Sequence, residues 1–269
     1  MPKVYIGVGH GGTDPGAVSG KHKEAIYALD IANACTAELK RHGVLVMQSR
    51  TSNVTEVLAV KIKECNNYNP DVALDIHLNA GGGDGFEVFH SITSTKGKTL
   101  AQNIEKSVKT IKQNSRGIKT KVNSNGTDYF GFVRQTNCPA LLVECAFIDS
   151  KDVEIVDTLA ERQKMGVAIA HGILTYFGIA IKVSAPASTA STKKTCTITL
   201  EQLQKGSSGA TVKNLQNLLI SKGYSCGAAG ADGDFGNGTL NAIRLFKKNN
   251  KLNNNDIVDK ETWNKLLNY

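Results

Sequence analysis

Lys3-Val4-Tyr5-Ile6-Gly7-Val8-Gly9-His10-Gly11-Gly12 opens the chain, and the rest of the sequence is read outward from it. Its first half is a β-branched and apolar run, the pattern of a fully buried strand. Its second half is glycine-rich and sets His10 just past the end of that strand, which in an open α/β sheet is where ligands bind. Glycines on both sides of His10 let the backbone come close to a ligand and leave the imidazole uncrowded.

Turn residues Thr13-Asp14-Pro15-Gly16-Ala17 and Gly20 lead into a helix predicted over about 24–42. Lys40, Arg41 and His42 fill its last turn and Gly43 stops it. Ala28, Ile31, Cys35 and Leu39 mark its inward face, and Glu24 caps that face at the first turn. A second strand over 44–49 ends at Arg50, and a second helix covers about 55–67. A third strand, Val72–Ile76, has His77-Leu78-Asn79-Ala80 at its end, followed by the glycine loop 81–85 and a strand over Phe86–His90. A helix over about 98–112 comes next. An irregular segment through Tyr129–Phe132 then leads to Pro139–Glu144, a buried strand ending in an acid. Helical stretches over about 150–158 and 161–177 close the region. The alternation predicts an α/β fold, a mostly parallel twisted sheet with helices on both faces.

Residues 1–178 therefore read as one domain and 179–200 as a linker, since Ser184–Lys194 is small, polar and aperiodic. Residues 201–269 read as a small all-α module of three helices. Val212, Leu215 and Leu219 line the first helix, Leu240, Ile243 and Phe246 the second, and Trp263, Leu266 and Leu267 the third. The Gly/Asp-rich loop Gly230–Gly236 separates the first two. Trp263 reads more readily as core than as a sugar-stacking platform.

Composition narrows the function classes. The 269 residues are 41% apolar with a net charge of +8 and a pI near 9.1, which suits an anionic partner or a solvated basic surface. Aromatic residues do not alternate with basic ones, so no nucleic-acid partner is expected. No run approaches the ~20 apolar residues of a membrane helix, so no membrane insertion is expected. Six cysteines without a CxxC spacing read as free, mostly buried thiols. Met1-Pro2-Lys3 runs straight into the first strand, so the expectation is synthesis in the cytoplasm without a signal peptide.

His10, Glu24, His77 and Glu144 occupy matching topological positions. Two histidines follow buried strands, one glutamate opens the first helix, and another ends a late strand. Parallel topology brings these ends to one edge of the sheet. Two histidines and a carboxylate holding zinc, with a fourth position open, form a catalytic arrangement. Such a metal activates water and polarises a carbonyl, and a carboxylate near it but not bound to it carries the proton. Glu144 suits that role, with Glu87 its strongest rival. His22, His42, His90 and His171 have plainer explanations, and Cys145 should face away from Glu144. Gly7-x-Gly9-x-x-Gly12 matches a dinucleotide-binding pattern. That pattern must open a helix at once, whereas Asp14, Pro15, Gly16 and Gly20 hold the chain in a loop.

Residues 2–177 resemble the zinc-dependent N-acetylmuramoyl-L-alanine amidases of the Amidase_3 family. The resemblance rests on His10-Gly11-Gly12-x-Asp14-x-Gly16, Glu24, Asp75-Ile76-His77-Leu78-Asn79-Ala80 and Leu142–Ile148. It implies one zinc ion on His10, Glu24 and His77, a catalytic Glu144, and cleavage of the amide between muramic acid and L-alanine. Asp75 stands where the family usually has serine, read as a minor change that bears on the surroundings of His77. Asn79 and Arg50 are candidate substrate-binding residues, the first for substrate amides and the second for a stem-peptide carboxylate or a structural neighbour. The tail resembles the peptidoglycan-binding type 1 domain through Leu203-x-x-Gly206-x-x-Gly209-x-x-Val212, Asp232-Gly233-x-Phe235-Gly236 and Thr262-Trp263, with the second Asp-Gly repeat degraded at Asn255–Asp259. The implied partner is the peptidoglycan of a Gram-positive wall. The resemblance extends to two-part phage endolysins, whose release depends on a holin-like pore; a mother-cell autolysin fits as well. A zinc peptidase acting within the stem peptide and a wall-binding protein with a vestigial metal site are the competing classes.

Overall fold

The computed structural model describes residues 1–182, 202–227 and 229–267, and the chain divides into two compact units, residues 1–187 and 188–269. The first unit runs β1 (Lys3–Val8), β2 (Val18–Ser19), β3 (His22–Lys23), α1 (Glu24–Arg41), β4 (Leu45–Gln48), α2 (Leu58–Tyr68), β5 (Val72–Asn79) and β6 (Phe86–His90). It continues through α3 (Thr95–Lys109), β7 (Ser115–Lys119), α4 (Gly131–Gln135), β8 (Ala140–Phe147), a 3-10 turn at Lys151–Ile155 and α5 (Leu159–Tyr176). Among the described residues, six of these strands form one sheet in the order β4-β1-β5-β8-β6-β7. Neighbours are parallel except β6 and β8, which are antiparallel.

The near-continuous apolar runs of β1, β5 and β8 are what a sheet buried on both faces requires. Val4, Ile6, Val8, Leu74, Ile76, Val143 and Cys145 face α1, α3 and α5 in the main core. The opposite face carries Tyr5, Ala73 and Ala140, covered by Ile62 and Cys65 of α2 and Phe132 of α4. Because side chains alternate along a strand, Asp75, His77, Leu142 and Glu144 share this second face, nearer the carboxyl ends of the strands.

Several elements differ from their sequence-based expectations. His77 and Glu144 lie inside β5 and β8 rather than at their ends, because the β5–β8 ladder continues through His77↔Glu144 to Asn79↔Phe147. α2 starts at Leu58, since Asn53 and Thr55 are spent on the His10 loop: Gly12 N–H donates to Asn53 Oδ1 and Thr13 N–H to Thr55 Oγ1. The segment read as irregular contains β7 and α4, the loop before α1 contains the β2–β3 pair, and the stretch over 150–158 is a 3-10 turn. No helix follows Gly12 directly, which disposes of the dinucleotide pattern.

The second unit runs β9 (Leu203–Gln204), α6 (Ala210–Ser221), α7 (Asn237–Asn249), β10 (Ile257–Val258) and α8 (Lys260–Leu267). The three helices pack on the expected apolar residues except Leu267, which is 47% exposed and faces away from the core, while Trp263 lies within it. The all-α description needs one correction: β9 and β10 pair antiparallel and tie the two ends of the unit together. Gln216, buried on α6, organises the Gly/Asp loop. Its Nε2 lies at 2.8–3.0 Å from Asp232 Oδ1, the Asp234 carbonyl and Thr239 Oγ1, and its Oε1 accepts from Gly233 N–H.

Of the segment 179–200, residues 183–200 lie outside the described residues. Ile179 packs on the core of the first unit, and Lys182 N–H donates to His42 Nε2 at 2.8 Å. Among the described residues no helix is long and apolar enough to cross a membrane.

Candidate metal centre

The loop after β1 turns sharply at His10, whose φ of 55° lies in the left-handed region that most residues avoid. Two glycines make room for it. A Cβ on Gly9 would fall 2.6 Å from the His77 ring, and one on Gly16 would fall 2.6 Å from both Glu24 Oε2 and His10 Cδ2. Glu24 is the first residue of α1, where a carboxylate also answers the helix dipole, and it is 3% exposed. Its Oε2 accepts from Ala17 N–H at 2.9 Å and lies 3.3 Å from His10 Nε2. Its Oε1 accepts from Leu78 N–H at 3.0 Å and lies 2.9 Å from His77 Nδ1. The two imidazole rings stand edge to face with centroids 5.0 Å apart. One donor atom from each of His10, Glu24 and His77 thus falls within 4.8 Å of the others.

Each histidine is oriented by a carboxylate behind it. Asp14 Oδ2 lies 2.7 Å from His10 Nδ1, and Asp75 Oδ2 lies 3.5 Å from His77 Nε2. Outer partners of this kind fix ring orientation in metal sites. Burial lowers the His77 pKa, but the Asp75 and Glu24 carboxylates outweigh it and hold the imidazole up at about 10. His10 is raised as well, chiefly by its hydrogen bond to Glu24. Burial raises Glu24, yet its bonds to His10 and His77 more than reverse this and hold it well below the usual carboxylate range. The pocket is built to receive positive charge.

Glu144 stands beside His77 on the next strand, in register with it. Burial pushes its carboxyl up to about 7; His77 opposes this, while the charges of Glu24, Glu87 and Asp75 add to it. Its Oε2 is buried and has no hydrogen-bond partner among the described residues. A buried, unpartnered carboxyl oxygen beside a cluster of nitrogen and oxygen donors is poised to exchange a proton.

Beneath the site lies a set of charges that sequence reasoning missed. Lys61 of α2 is buried, and its ammonium reaches Asp75 Oδ1 (2.9 Å), the Val8 carbonyl (2.9 Å) and Glu56 Oε2 (3.3 Å). Three acceptors match its three N–H donors. Asp75 is therefore no minor change: it joins His77 to a buried ion network, and Lys61 and His77 hold it well below the usual carboxylate range against the effect of burial. The serine-to-aspartate departure was visible in the sequence, but its partner on α2 becomes a neighbour only when that helix packs.

Arg50 is corrected. It is 3% exposed, and its guanidinium donates to the carbonyls of Gly9 and Ala25 at 2.7 Å and of Ser52 at 3.2 Å. It braces the His10 loop and the start of α1 and does not face the cleft. Asn79 remains at the edge of the site, with Nδ2 3.3 Å from Glu87 Oε2 and Oδ1 accepting from Ala80 N–H. Glu87 is in register with Glu144 but is committed to Arg116 and Lys119. His22, His42, His90 and His171 are bonded elsewhere, and Cys145 faces the main core. A cavity of about 330 Å³ opens beside the cluster, walled by Leu58, Phe130, Phe132 and Leu142.

The donor set fits zinc. Two imidazoles and one carboxylate are the ligands of catalytic zinc sites that keep a fourth position open.

A family profile described as N-acetylmuramoyl-L-alanine amidase matches residues 4–175, and one for a peptidoglycan binding domain matches residues 208–266. The chain is 32% identical over 187 residues to the sporulation-specific N-acetylmuramoyl-L-alanine amidase of Bacillus subtilis, covering 66% of this chain and 69% of that protein. It is 33% identical over 158 residues to an endolysin of Bacillus phage SPP1, covering 55% of this chain and 56% of the phage protein. Among solved structures it is similar to Cwp6 from Clostridium difficile, with a TM-score of 0.63 and 37% identity over 65% of this chain and 29% of that one. It is also similar to the N-acetylmuramoyl-L-alanine amidase AmiC2 of Nostoc punctiforme, with a TM-score of 0.60 and 25% identity over 66% and 97% of the two chains.

Proposed function

The chain belongs to the N-acetylmuramoyl-L-alanine amidase family, and from that premise we propose that its hydrolysis of peptidoglycan depends on one zinc ion held by His10, Glu24 and His77, with Glu144 as the catalytic proton carrier. The observation that carries the reading is the convergence of those three donors beside a carboxyl whose buried oxygen has no hydrogen-bond partner among the described residues. Bound there, zinc would supply an acidified water near neutral pH and polarise the scissile carbonyl. Glu144, raised to about 7, takes a proton at Oε2 during attack on the lactyl carbonyl and returns it to the departing L-alanine nitrogen. Asp14 and Asp75 keep the two imidazoles in their orientations, and the apolar wall of Leu58, Phe130 and Phe132 limits water beside the reacting amide.

The second unit would hold the enzyme on the wall, as its match to a peptidoglycan binding domain supports. Likeness to a phage endolysin supports a lytic setting. In that setting the enzyme is made in the cytoplasm and reaches a Gram-positive wall through a pore opened by a separate holin-like protein.

The test is a digest of purified wall with and without chelator, read by mass spectrometry. The expected products are glycan with a free lactyl carboxyl and peptide with a free L-alanine amino group, lost on chelation and restored by zinc. A new amino group deeper in the peptide, or full activity after exhaustive metal removal, overturns the reading.

A further inference from the structure

The second face of the sheet carries a row of charges across four neighbouring strands: Asp75 and His77 on β5, Glu144 on β8, Glu87 on β6, then Arg116 and Lys119 on β7. Register places them in line. His77 pairs with Glu144, Glu144 with Glu87, and Lys119 stands opposite Phe89, which shares a face with Glu87. Two cations meet one carboxylate at the far end. Arg116 Nε and Lys119 Nζ both donate to Glu87 Oε1, the second at 2.7 Å, while Glu87 Oε2 faces Asn79. One carboxylate does not neutralise two cations. Arg116 spends only Nε on Glu87 and rests on the Phe147 ring at 5.2 Å, so its outer guanidinium nitrogens have no hydrogen bond among the described residues. Its side chain is 45% exposed and that of Lys119 33%, whereas Glu87 beneath them is 6% exposed. A buried acid thus pins two cations in place and leaves one positive charge, with a free planar fork, turned to solvent.

We propose that Arg116 and Lys119 form a subsite for a carboxylate of the stem peptide, on the leaving-group side of the scissile amide. The inference rests on the amidase reading above and adds a substrate requirement to it. Strands stand about 4.8 Å apart, so β7 lies two steps, or roughly 10 Å, from the strand of Glu144. An extended peptide advances about 3.3 Å per residue, so a carboxylate two or three residues beyond the cut reaches the pair. The peptide is the part of the substrate with such a group. The glycan has used its lactyl carboxyl in the scissile amide, while the stem peptide carries free carboxylates at its side chains or end. Asn79, whose Nδ2 has a second N–H, stands between the reacting centre and this subsite.

The test uses the full chain and two soluble muramoyl peptides that differ only in having the peptide carboxylates free or amidated. For wild type the free acid is the better substrate. Arg116→Gln keeps the Lys119–Glu87 pair, so Glu87 stays compensated, and it is expected to lower the acid-to-amide ratio of kcat/KM about tenfold, mainly through KM. Arg116→Lys, which keeps the charge but not the fork, restores part of the ratio, and zinc content in both variants reports an intact fold. A ratio that stays within about twofold of wild type in Arg116→Gln overturns the subsite. Release of glycan with a free lactyl carboxyl from whole wall by wild type tests the amidase reading separately. Without that release both readings fall; with it and an unchanged ratio, the subsite alone falls.

Discussion

Glu144 shows how one residue's surroundings set both its chemistry and its cost. Its folded pKa of about 7 exceeds the 4.5 of a free glutamate, so the folded state holds more protons than the unfolded one between those values. Stability therefore falls as pH rises from about 4.5 to about 7, and above that the buried charge costs on the order of 3 kcal/mol. Glu144→Gln is expected to abolish turnover, by 10³-fold or about that, while keeping the zinc ligands in place. It should also stabilise the metal-free first unit by about 1–3 kcal/mol at pH 8, and not at pH 4, in denaturant melts. Retained turnover would move the catalytic role elsewhere; an equal effect at both pH values would remove the buried-charge account. The four residues of this centre were legible because parallel strands return to one edge, so a histidine after one strand and an acid near the end of another must meet there. Arg50 was not legible for the converse reason. Its position at the end of β4 left a stem-peptide carboxylate and a structural neighbour equally open. Only packing shows that its two Nη atoms are taken by the Gly9, Ala25 and Ser52 carbonyls, with Nε buried and unpartnered among the described residues.

At the scale of elements, α2 does more than cover the sheet. By packing Ile62 and Cys65 on the lower half of the second face, it delivers Lys61 beneath the metal ligands. The network of Glu56, Lys61 and Asp75 carries one surplus negative charge, and Asp75 turns its other oxygen toward His77. Lys61→Met strands two buried carboxylates and is expected to cost about 3–5 kcal/mol of stability by denaturant melt. Asp75→Ser leaves Lys61 paired with Glu56 and is expected to cost less, but to weaken zinc about 10-fold or more in competition with a chromogenic chelator. Unchanged zinc affinity in Asp75→Ser would confine the network to folding. Elements with strong periodicity, such as β1, α1 and α5, were readable from their apolar spacing. β7 was not, since Ser115-Arg116-Gly117-Ile118-Lys119 has one apolar residue and a central glycine, and it becomes a strand by pairing with β6. α4 spans five residues, too few to show a period.

The whole molecule joins two units whose cores are separate, one around the six-stranded sheet and one around α6, α7 and α8. The second core includes the buried Gln216 network, with its hydrogen bonds made inside the unit. Each unit thus carries what it needs to fold, and residues 1–182 alone are expected to stay folded and to cut soluble muramoyl peptides at close to the full-length rate. Hold on the wall is a different matter. A net charge of +8 attracts the whole chain to an anionic wall whatever the second unit recognises, so loss of sedimentation on truncation is not enough to assign binding to that unit. Salt separates the two contributions. In about 1 M salt the Debye length shrinks to ~3 Å and long-range attraction between exposed charges is screened. Contacts made inside a folded binding surface lose much less. Full-length protein is therefore expected to sediment with purified wall at both low and high salt. Residues 1–182 should sediment weakly at low salt and not at all at high salt. Full-length protein that leaves the wall at high salt would place the attachment in the charge of the chain rather than in the second unit.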